Sequence, residues 1–600
     1  MARASHDRLR GQPGRPGREN LYQRPCHYDR GVSEQTPDVE ARIPAELQGE
    51  VQHALARAGR ERVLERVREG DASLWAAPGT PEVANRLGWL TIAERMLGDV
   101  AEIEAFAEEI RSDGFLDVVL LGMGGSSLAP EVLRRTFGHS DGHPRLHVLD
   151  STDATSVRDV SEAVEPRRTL FVVSSKSGGT IEPLSLFAHF YSLIGEGANF
   201  IAITDPGSGL ADLARERGFR HTFLGDPDIG GRYSALSPFG IVPAALMGVD
   251  VRGLLEGAAS AWETSIDPRA AASAGGAESD QVAAVWLGTA LGALARAGRD
   301  KLTFLISDSL PGLGLWLEQL VAESTGKHGT GILPVAEEPV GAVAEYGEDR
   351  VFAHVSDTTA PDTALAAHAS ALGETGHPVI TIPTAGPGDL GRLFMLWELA
   401  VAVAGWGLQI NPFDQPNVQQ AKDATRRVLD GYEADHRLPS VRDASDAEVR
   451  SLVLGAGPPS YVAIMAYTEP TPAFDDAVGE LRRAIRAATG ATTTFGYGPR
   501  FLHSTGQFHK GGPRTGRFLQ LLHDGPQDVV IPGAPYSFTT LKNAQAIGDL
   551  DTLRGLGLPA ERVRLEGGDP ASALRELAAR VTEPEQDAGA RRQASRPGAG

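Results

Sequence analysis

From Ala45 onward, apolar residues recur at spacings of three and four, with Arg and Glu filling the positions between them. Glu50–Val67 and Trp89–Ile110 carry this pattern, which predicts amphipathic helices. The period then changes. Asp117–Leu121 (DVVLL), Arg145–Leu149 (RLHVL), Thr169–Val173 (TLFVV), Asn199–Thr204 (NFIAIT) and His221–Leu224 are short apolar runs separated by helical patterns. Such alternation predicts βαβ units and a parallel sheet covered on both faces. A helical stretch over Pro238–Ala297, interrupted by a polar loop at Asp267–Asp280, leads into a second alternation. There Lys301–Ile306, Val351–His354 and Pro378–Ile382 read as strands, with helices at Gly314–Glu323 and Gly391–Ala404. A third unit begins near Pro458, with strands at Tyr461–Ala466, Phe518–Leu522, Asp528–Ile531 and Arg562–Arg564 and a helix at Ala473–Thr489.

The expected fold class is α/β. Two doubly wound modules with parallel sheets precede a small C-terminal α/β unit. Residues 1–44 are expected to be a disordered extension, 45–250 the first module with its N-terminal helices, and 251–432 the second. Residues 452–582 form the C-terminal unit, after a polar boundary at Glu433–Ser451, and 583–600 a disordered tail. No fixed short repeat is present, which excludes a solenoid.

Composition narrows the function. The formal charge is −21, from 57 basic and 78 acidic residues, so a global basic footprint for nucleic acid or an anionic membrane is absent. No run approaches about 18 apolar residues, so no membrane span is expected. The single cysteine, Cys26, excludes an internal disulfide and a thiolate metal cluster and suits a reducing, cytoplasmic compartment. Only six of the basic residues are lysine: Lys176, Lys301, Lys327, Lys422, Lys510 and Lys542. Four of these (Lys176, Lys327, Lys422, Lys510) fall in candidate functional loops, so a lysine here reads as a marker of a site wanting a compact point charge.

Six loops could carry chemistry. Gly122-Met-Gly-Gly125-Ser126-Ser, between a strand and a helix, brings backbone N–H groups to a helix N-terminus where an anion is favoured. It lacks the Gly-Lys-Ser/Thr of a Walker loop and the spacing of a dinucleotide fingerprint. Ser174-Ser175-Lys176-Ser177-Gly-Gly-Thr180 offers hydroxyls and one ammonium with no acidic neighbour in the loop, a donor set suited to a phosphate monoester. Gly230-Gly-Arg232-Tyr-Ser puts an arginine on a glycine hinge, where it can hold developing negative charge. Glu323, at the end of an apolar helix in Gln319-Leu-Val-Ala-Glu-Ser-Thr-Gly-Lys327, is expected to be partly buried and so shifted towards a proton-transfer range. Asn411-Pro-Phe-Asp-Gln415-Pro, followed by Lys422, is a rigid turn feeding a helix. His503 and His509 flank a Gly-rich loop without a carboxylate or cysteine at ligand spacing, which favours acid–base work over a metal.

In this order the motifs G-M-G-G-S-S, S-S-K-S-G-G-T, G-G-R-Y-S, Q-x-x-x-E-S-x-G-K and F-D-Q with a lysine seven residues on closely resemble phosphoglucose isomerase. The C-terminal wording, H-S-T-G-Q-F-H-K-G-G-P and the later I-P-G-A-P-Y-S-F-T-T-L-K-N-A-Q-A, is similar to the isomerase half of bifunctional transaldolase/phosphoglucose isomerases. No transaldolase barrel is expected ahead of it, because only 116 residues precede Asp117.

The resemblance implies the interconversion of glucose 6-phosphate and fructose 6-phosphate through an enediolate, without cofactor or metal. It implies that Gly125, Ser126, Ser175, Lys176, Ser177 and Thr180 bind the phosphate, and that Gln319, Gln415 and Lys422 line the sugar site. Arg232 would stabilise the enediolate, Glu323 would shuttle the proton, and Lys422 would lie near the ring oxygen. The family's ring-opening histidine lies between the glutamate and F-D-Q loops. No such motif occurs there in this chain, so His503 is expected to have taken the role from a relocated segment, with His509 the alternative. A homodimer and a separate transaldolase are the partners the resemblance suggests. A non-catalytic sugar-phosphate regulator and an isomerase of another phosphorylated sugar are the competing readings.

Overall fold

A computed structural model describes residues 39–266 and 283–582. Three sheets follow in sequence. The first has the order β3-β2-β4-β5-β6 (β2 Asp117–Gly122, β3 Arg145–Leu149, β4 Thr169–Ser174, β5 Phe200–Thr204, β6 His221–Leu224), and all its pairings are parallel. Every residue of β2, β4 and β5 is buried, which is why these strands read as unbroken apolar runs. The chain moves outward from β2 to β3, then returns across β2 to β4, so the strand order reverses between β2 and β4. Ligands of open α/β sheets bind outside the strand ends at such a point. Gly122 pairs with Ser174, so the two candidate anion loops leave the sheet side by side.

The second sheet has the order β1-β10-β9-β7-β8, with β7 Lys301–Ile306, β8 Leu333–Val335, β9 Arg350–Asp357 and β10 Val379–Thr384. Its edge strand β1, Glu40–Arg42, runs antiparallel to β10. This corrects the reading of residues 39–44 as part of a disordered extension. A three-residue, solvent-facing edge strand has no apolar periodicity to detect. The remainder of that extension, the Asp267–Asp280 loop and the C-terminal tail lie outside the described residues.

The helix Leu390–Leu408 packs against the second sheet through Trp397 and Phe304 and is buried on every face, with helices Val251–Ile266, Ala283–Arg296 and Leu313–Thr325 around it. It is long and apolar enough to cross a membrane, and it is the central core helix of this fold. Close packing depends on small residues: a Cβ on Gly288 would lie 2.1 Å from the Ala400 carbonyl oxygen. Each fully buried leucine or valine here contributes about 1.5–3 kcal/mol relative to exposure.

The third sheet has the order β12-β11-β13-β14 (β11 Tyr461–Tyr467, β12 Thr492–Tyr497, β13 Gly516–Leu522, β14 Ala560–Arg564) and is also parallel. Two differences from the sequence reading arise here. The run Asp528–Ile531 makes only an isolated bridge, Val530 to Ser537; Val529 and Ile531 pack as loop side chains against the first module's core, and Val530 is exposed. The missed strand β12 (TTTFGY) is rich in threonine, whose β-branched side chain suits a strand but gives no apolar signal. The expected boundary at Glu433–Ser451 is not a separation either. Helix Val418–Asp435 packs on helix Phe538–Gly555, and the described residues on either side of this boundary belong to one compact unit.

Candidate active site

Gly125 and Ser126 sit in the short turn after β2, both buried. A Cβ on Gly125 would lie 2.0 Å from the carbonyl oxygen of Gly231, so the glycine lets the first loop touch the turn that carries Arg232. Gly125→Ala should push that turn away and misplace Arg232. The expected result is a fall in kcat/KM of about 10²-fold, checked by steady-state kinetics on the folded variant.

The second loop begins at the end of β4. The buried Ser175 hydroxyl donates to Thr180 Oγ1 (3.2 Å), Ser177 is exposed, and Thr180 opens the helix Ile181–Ile194. Lys176 departs from expectation. Its ammonium donates to Asp205 Oδ2 (2.6 Å) and to the Asp226 carbonyl oxygen (2.8 Å). The acidic partner absent from the loop itself comes from the end of the adjacent strand β5, which the parallel register places alongside. Burial lowers the pKa of Lys176, against the pull of Asp205.

Glu323 lies in the last turn of the buried helix Leu313–Thr325 and is 4% exposed. Burial pushes its carboxyl up to about 6, although Arg232, His503 and Lys327 pull in the other direction. Arg232, 2% exposed, places Nη1 3.6 Å from Glu323 Oε2. Its Nε donates to Ser324 Oγ (2.8 Å), and Nη2 donates to the carbonyl oxygens of Pro412 and Asp414. Arg232 Nη1 also reaches Gln415 Oε1 at 3.5 Å, which ties the exposed Gln415 to the same cluster. Lys327 is fully buried and donates to the Asn411 carbonyl oxygen (2.6 Å) and to Asp414 Oδ1 (2.7 Å), so both cations hold the 411–415 loop. Burial takes its ammonium down to about 7.

Gln319, one turn before Glu323, donates from Nε2 to the His503 carbonyl oxygen (2.7 Å) and lies 3.4 Å from Glu323 Oε2. Its Oε1 is buried without a partner among the described residues, ready for a hydroxyl donor. Through this contact the C-terminal unit reaches the centre of the site. His503 sits in the β12–β13 connection, and its Nε2 is 3.0 Å from Glu182 Oε1. Burial opposes the charge on Glu182, but the His503 contact outweighs it and the pKa falls below the usual carboxylate range. Lys422 is exposed on helix Val418–Asp435, with no ion-pair partner among the described residues. With Thr180, Glu182, Leu502, His503 and Gln545 it lines a cavity of about 270 Å³, the volume of a small metabolite.

His509 is elsewhere. Buried, it meets the Tyr461 hydroxyl through Nδ1 at 2.9 Å, and burial takes its pKa down to about 3. The lysine reading also needs correction. The side chains of Lys301, Lys327, Lys510 and Lys542 are all buried beside carboxylates, with Lys510 paired to Asp549 at 2.7 Å. Lysine in this chain marks a buried ion pair at four of its six positions. Lys176 and Lys422 alone of the six are accessible enough to meet a ligand.

Glu182 and Asp205 went unnoticed in the sequence. The signal for Glu182 was a carboxylate in the first turn of an otherwise apolar helix, immediately after the serine-rich loop.

Comparisons with known proteins agree with this geometry. The phosphoglucose isomerase family profile matches residues 100–351. A glucose-6-phosphate isomerase of Rubrobacter xylanophilus is 32% identical over 383 residues, covering 55% of this chain and 86% of its own. One from Thermus thermophilus is 29% identical over 412 residues, covering 60% and 94%. Among solved structures, a glucose-6-phosphate isomerase of Chlamydia trachomatis shares the fold at 18% identity, with a TM-score of 0.53 over 63% of this chain and 86% of that one. With the sheets, the paired anion loops and the Arg232–Glu323 pair in place, the chain belongs to the phosphoglucose isomerase family.

Proposed function

We propose that this site interconverts glucose 6-phosphate and fructose 6-phosphate by passing one proton between C1 and C2, with the work divided among residues of all three units. The reading rests above all on one observation: a buried carboxylate, Glu323, held near 6 beside a buried guanidinium. A base that is ionised at neutral pH, yet basic enough to take a carbon-bound proton, is what enediolate formation requires. A binding module would have no use for it.

The phosphate enters the cup formed by Ser175, Lys176, Ser177 and Thr180, with Gly125 and Ser126 on the facing loop. Gln319, Gln415 and Lys422 take the sugar hydroxyls. His503, held by Glu182, moves the proton between the ring oxygen and O1 or O2 as the ring opens. Glu323 then takes the proton from C2 of the aldose and returns it to C1, and Arg232 faces the negative charge that develops on the enediolate oxygens. One such donor is commonly worth about 3–4 kcal/mol in the transition state.

A coupled assay that reduces NADP⁺ with the glucose 6-phosphate formed from fructose 6-phosphate tests the activity directly. No turnover by the folded protein would contradict the reading. The same assay tests Glu323: kcat/KM should fall about tenfold per pH unit below about 6. The substrate phosphate titrates in the same range, so the assignment needs a second arm. Lys327 holds the Glu323 pKa down, so Lys327→Met should move the acid limb upward while leaving the substrate's own ionisation unchanged. An unmoved limb would take it away from Glu323. The family resemblance carries further expectations of a homodimer, a docked transaldolase and a cytoplasmic location. Light scattering of the purified chain, alone and with a transaldolase, tests the first two.

A further inference from the structure

Three buried polar side chains and the half-buried His503, from four separate elements, form a chain along one wall of the cavity. Thr152, in the turn after β3, donates from Oγ1 to Gln545 Oε1 at 2.7 Å. Gln545, in the middle of helix Phe538–Gly555, donates from Nε2 to Glu182 Oε1 at 2.7 Å. The same oxygen meets His503 Nε2 at 3.0 Å. Thr152, Gln545 and Glu182 are no more than 3% exposed.

The direction of the chain follows from chemistry. An ionised carboxylate only accepts, so the amide must turn its NH₂ towards Glu182. Its oxygen then faces Thr152, whose one hydroxyl hydrogen points at it. Neither end can be reversed without leaving a buried polar atom unpaired, which costs more than the bond itself is worth. Glu182 Oε1 therefore has two fixed donors, and the imidazole sits in a position set by the amide as well as by the carboxylate. With Nε2–H on Glu182, Nδ1 is the nitrogen left to exchange a proton.

We infer that Gln545 is a positioning residue for ring opening: the Thr152–Gln545–Glu182 hydrogen-bond chain fixes the carboxylate that aims the His503 imidazole. The inference rests on the assignment of ring opening to His503. It gives the C-terminal helix a share in the first chemical step. Lys542, three residues earlier on the same helix face, pairs with Asp153, the neighbour of Thr152, so the helix is held to the first module at two adjacent points.

The test separates ring opening from proton transfer. Ring opening is followed by NMR exchange between the anomers of glucose 6-phosphate. Proton transfer is followed by turnover of 5-deoxyfructose 6-phosphate, which lacks the oxygen needed to close the furanose ring. Gln545→Leu should slow anomer exchange by at least about tenfold and leave turnover of the 5-deoxy substrate within about twofold. Thr152→Val, which touches neither the cavity nor His503, should give a smaller loss with the same split. His503→Ala serves as the reference. If it slows anomer exchange and the Gln545 and Thr152 variants do not, or if they slow both substrates equally, the inference is wrong. A raised KM for both substrates with unchanged kcat would make Gln545 a substrate ligand, and that also overturns it. If His503→Ala leaves anomer exchange intact, the histidine assignment falls and the inference with it.

Discussion

Glu323→Gln keeps its sugar phosphate and loses turnover by about 10²–10⁴-fold, the range expected when a positioned general base is removed. The amide matches the carboxyl in size and can still accept from Gln319 and face Arg232, so KM should change little. The same variant should not be less stable. A carboxyl whose folded pKa is about 6, above its ordinary value of 4.5, stabilises the fold at low pH. That contribution is lost as pH rises through 6, because the buried group must then carry its charge. The wild type should therefore lose about 2 kcal/mol from this group between pH 4.5 and pH 8, and Glu323→Gln should lose that much less over the same range. Denaturant melts at the two pH values check the sign. A variant that is inactive because it is unfolded would show a lowered midpoint at both.

The largest stability effect is expected at a buried ion pair that takes no part in the chemistry. Lys542 is 1% exposed and donates to Asp153 Oδ2 (2.8 Å) and the His523 carbonyl oxygen, with Asp524 Oδ1 at 2.9 Å. Lys542→Met leaves the buried Asp153 without its cation, and removing one partner of a buried pair typically costs about 3–5 kcal/mol. The helix it anchors also carries Gln545, so the loss should show in two ways: a lower denaturation midpoint and faster amide exchange over 538–555. Asp153→Asn combined with Lys542→Met should recover part of the loss, because no lone charge then remains buried. A surface-like response, within about 0.5 kcal/mol, would mean that the C-terminal helix is held by its apolar face alone.

Much of this architecture is legible from the chain because parallel strands buried on both faces have no choice but to be apolar. β2, β4, β7, β11 and β13 announce themselves in that way. β12 does not, since threonine fills it, and the exposed β1 has no pattern at all. Asp528–Ile531 shows the opposite error: a β-branched run satisfied by packing rather than by a ladder. At the proposed site, the two anion loops stand out in the sequence by their Gly and Ser content. The residues that hold the loops do not. Asp205 and Asp414 pair with Lys176 and Lys327, and the Asp226 carbonyl oxygen accepts from Lys176, from distant parts of the sequence that only the sheet registers and loop contacts bring together. The lysine pattern misled for a related reason. A compact ammonium suits a phosphate, and it equally suits a buried carboxylate, and the sequence cannot distinguish the two.

The placement of His503 is the most consequential outcome. The third sheet delivers it through the β12–β13 connection to within reach of Glu182 and Gln319 of the same chain. Within one chain, the segment after β12 thus touches both the helix after the serine-rich loop and the helix that carries Glu323. Its loop also closes over Gly124, where a Cβ would lie 2.8 Å from the His503 carbonyl oxygen and where φ is +53°, two independent reasons for glycine.

The account stands on a division of labour between Glu323 and His503, and one pair of exchange measurements in D₂O tests it. NMR exchange between anomers of glucose 6-phosphate reports ring opening, and deuterium appearing at C2 reports proton transfer. Glu323→Gln should retain anomer exchange at close to the wild-type rate and incorporate no deuterium at C2. His503→Ala should lose anomer exchange while still labelling the small open-chain fraction. Deuterium entering C2 in Glu323→Gln at the wild-type rate would contradict the account, and so would equal loss of both signals in the two variants.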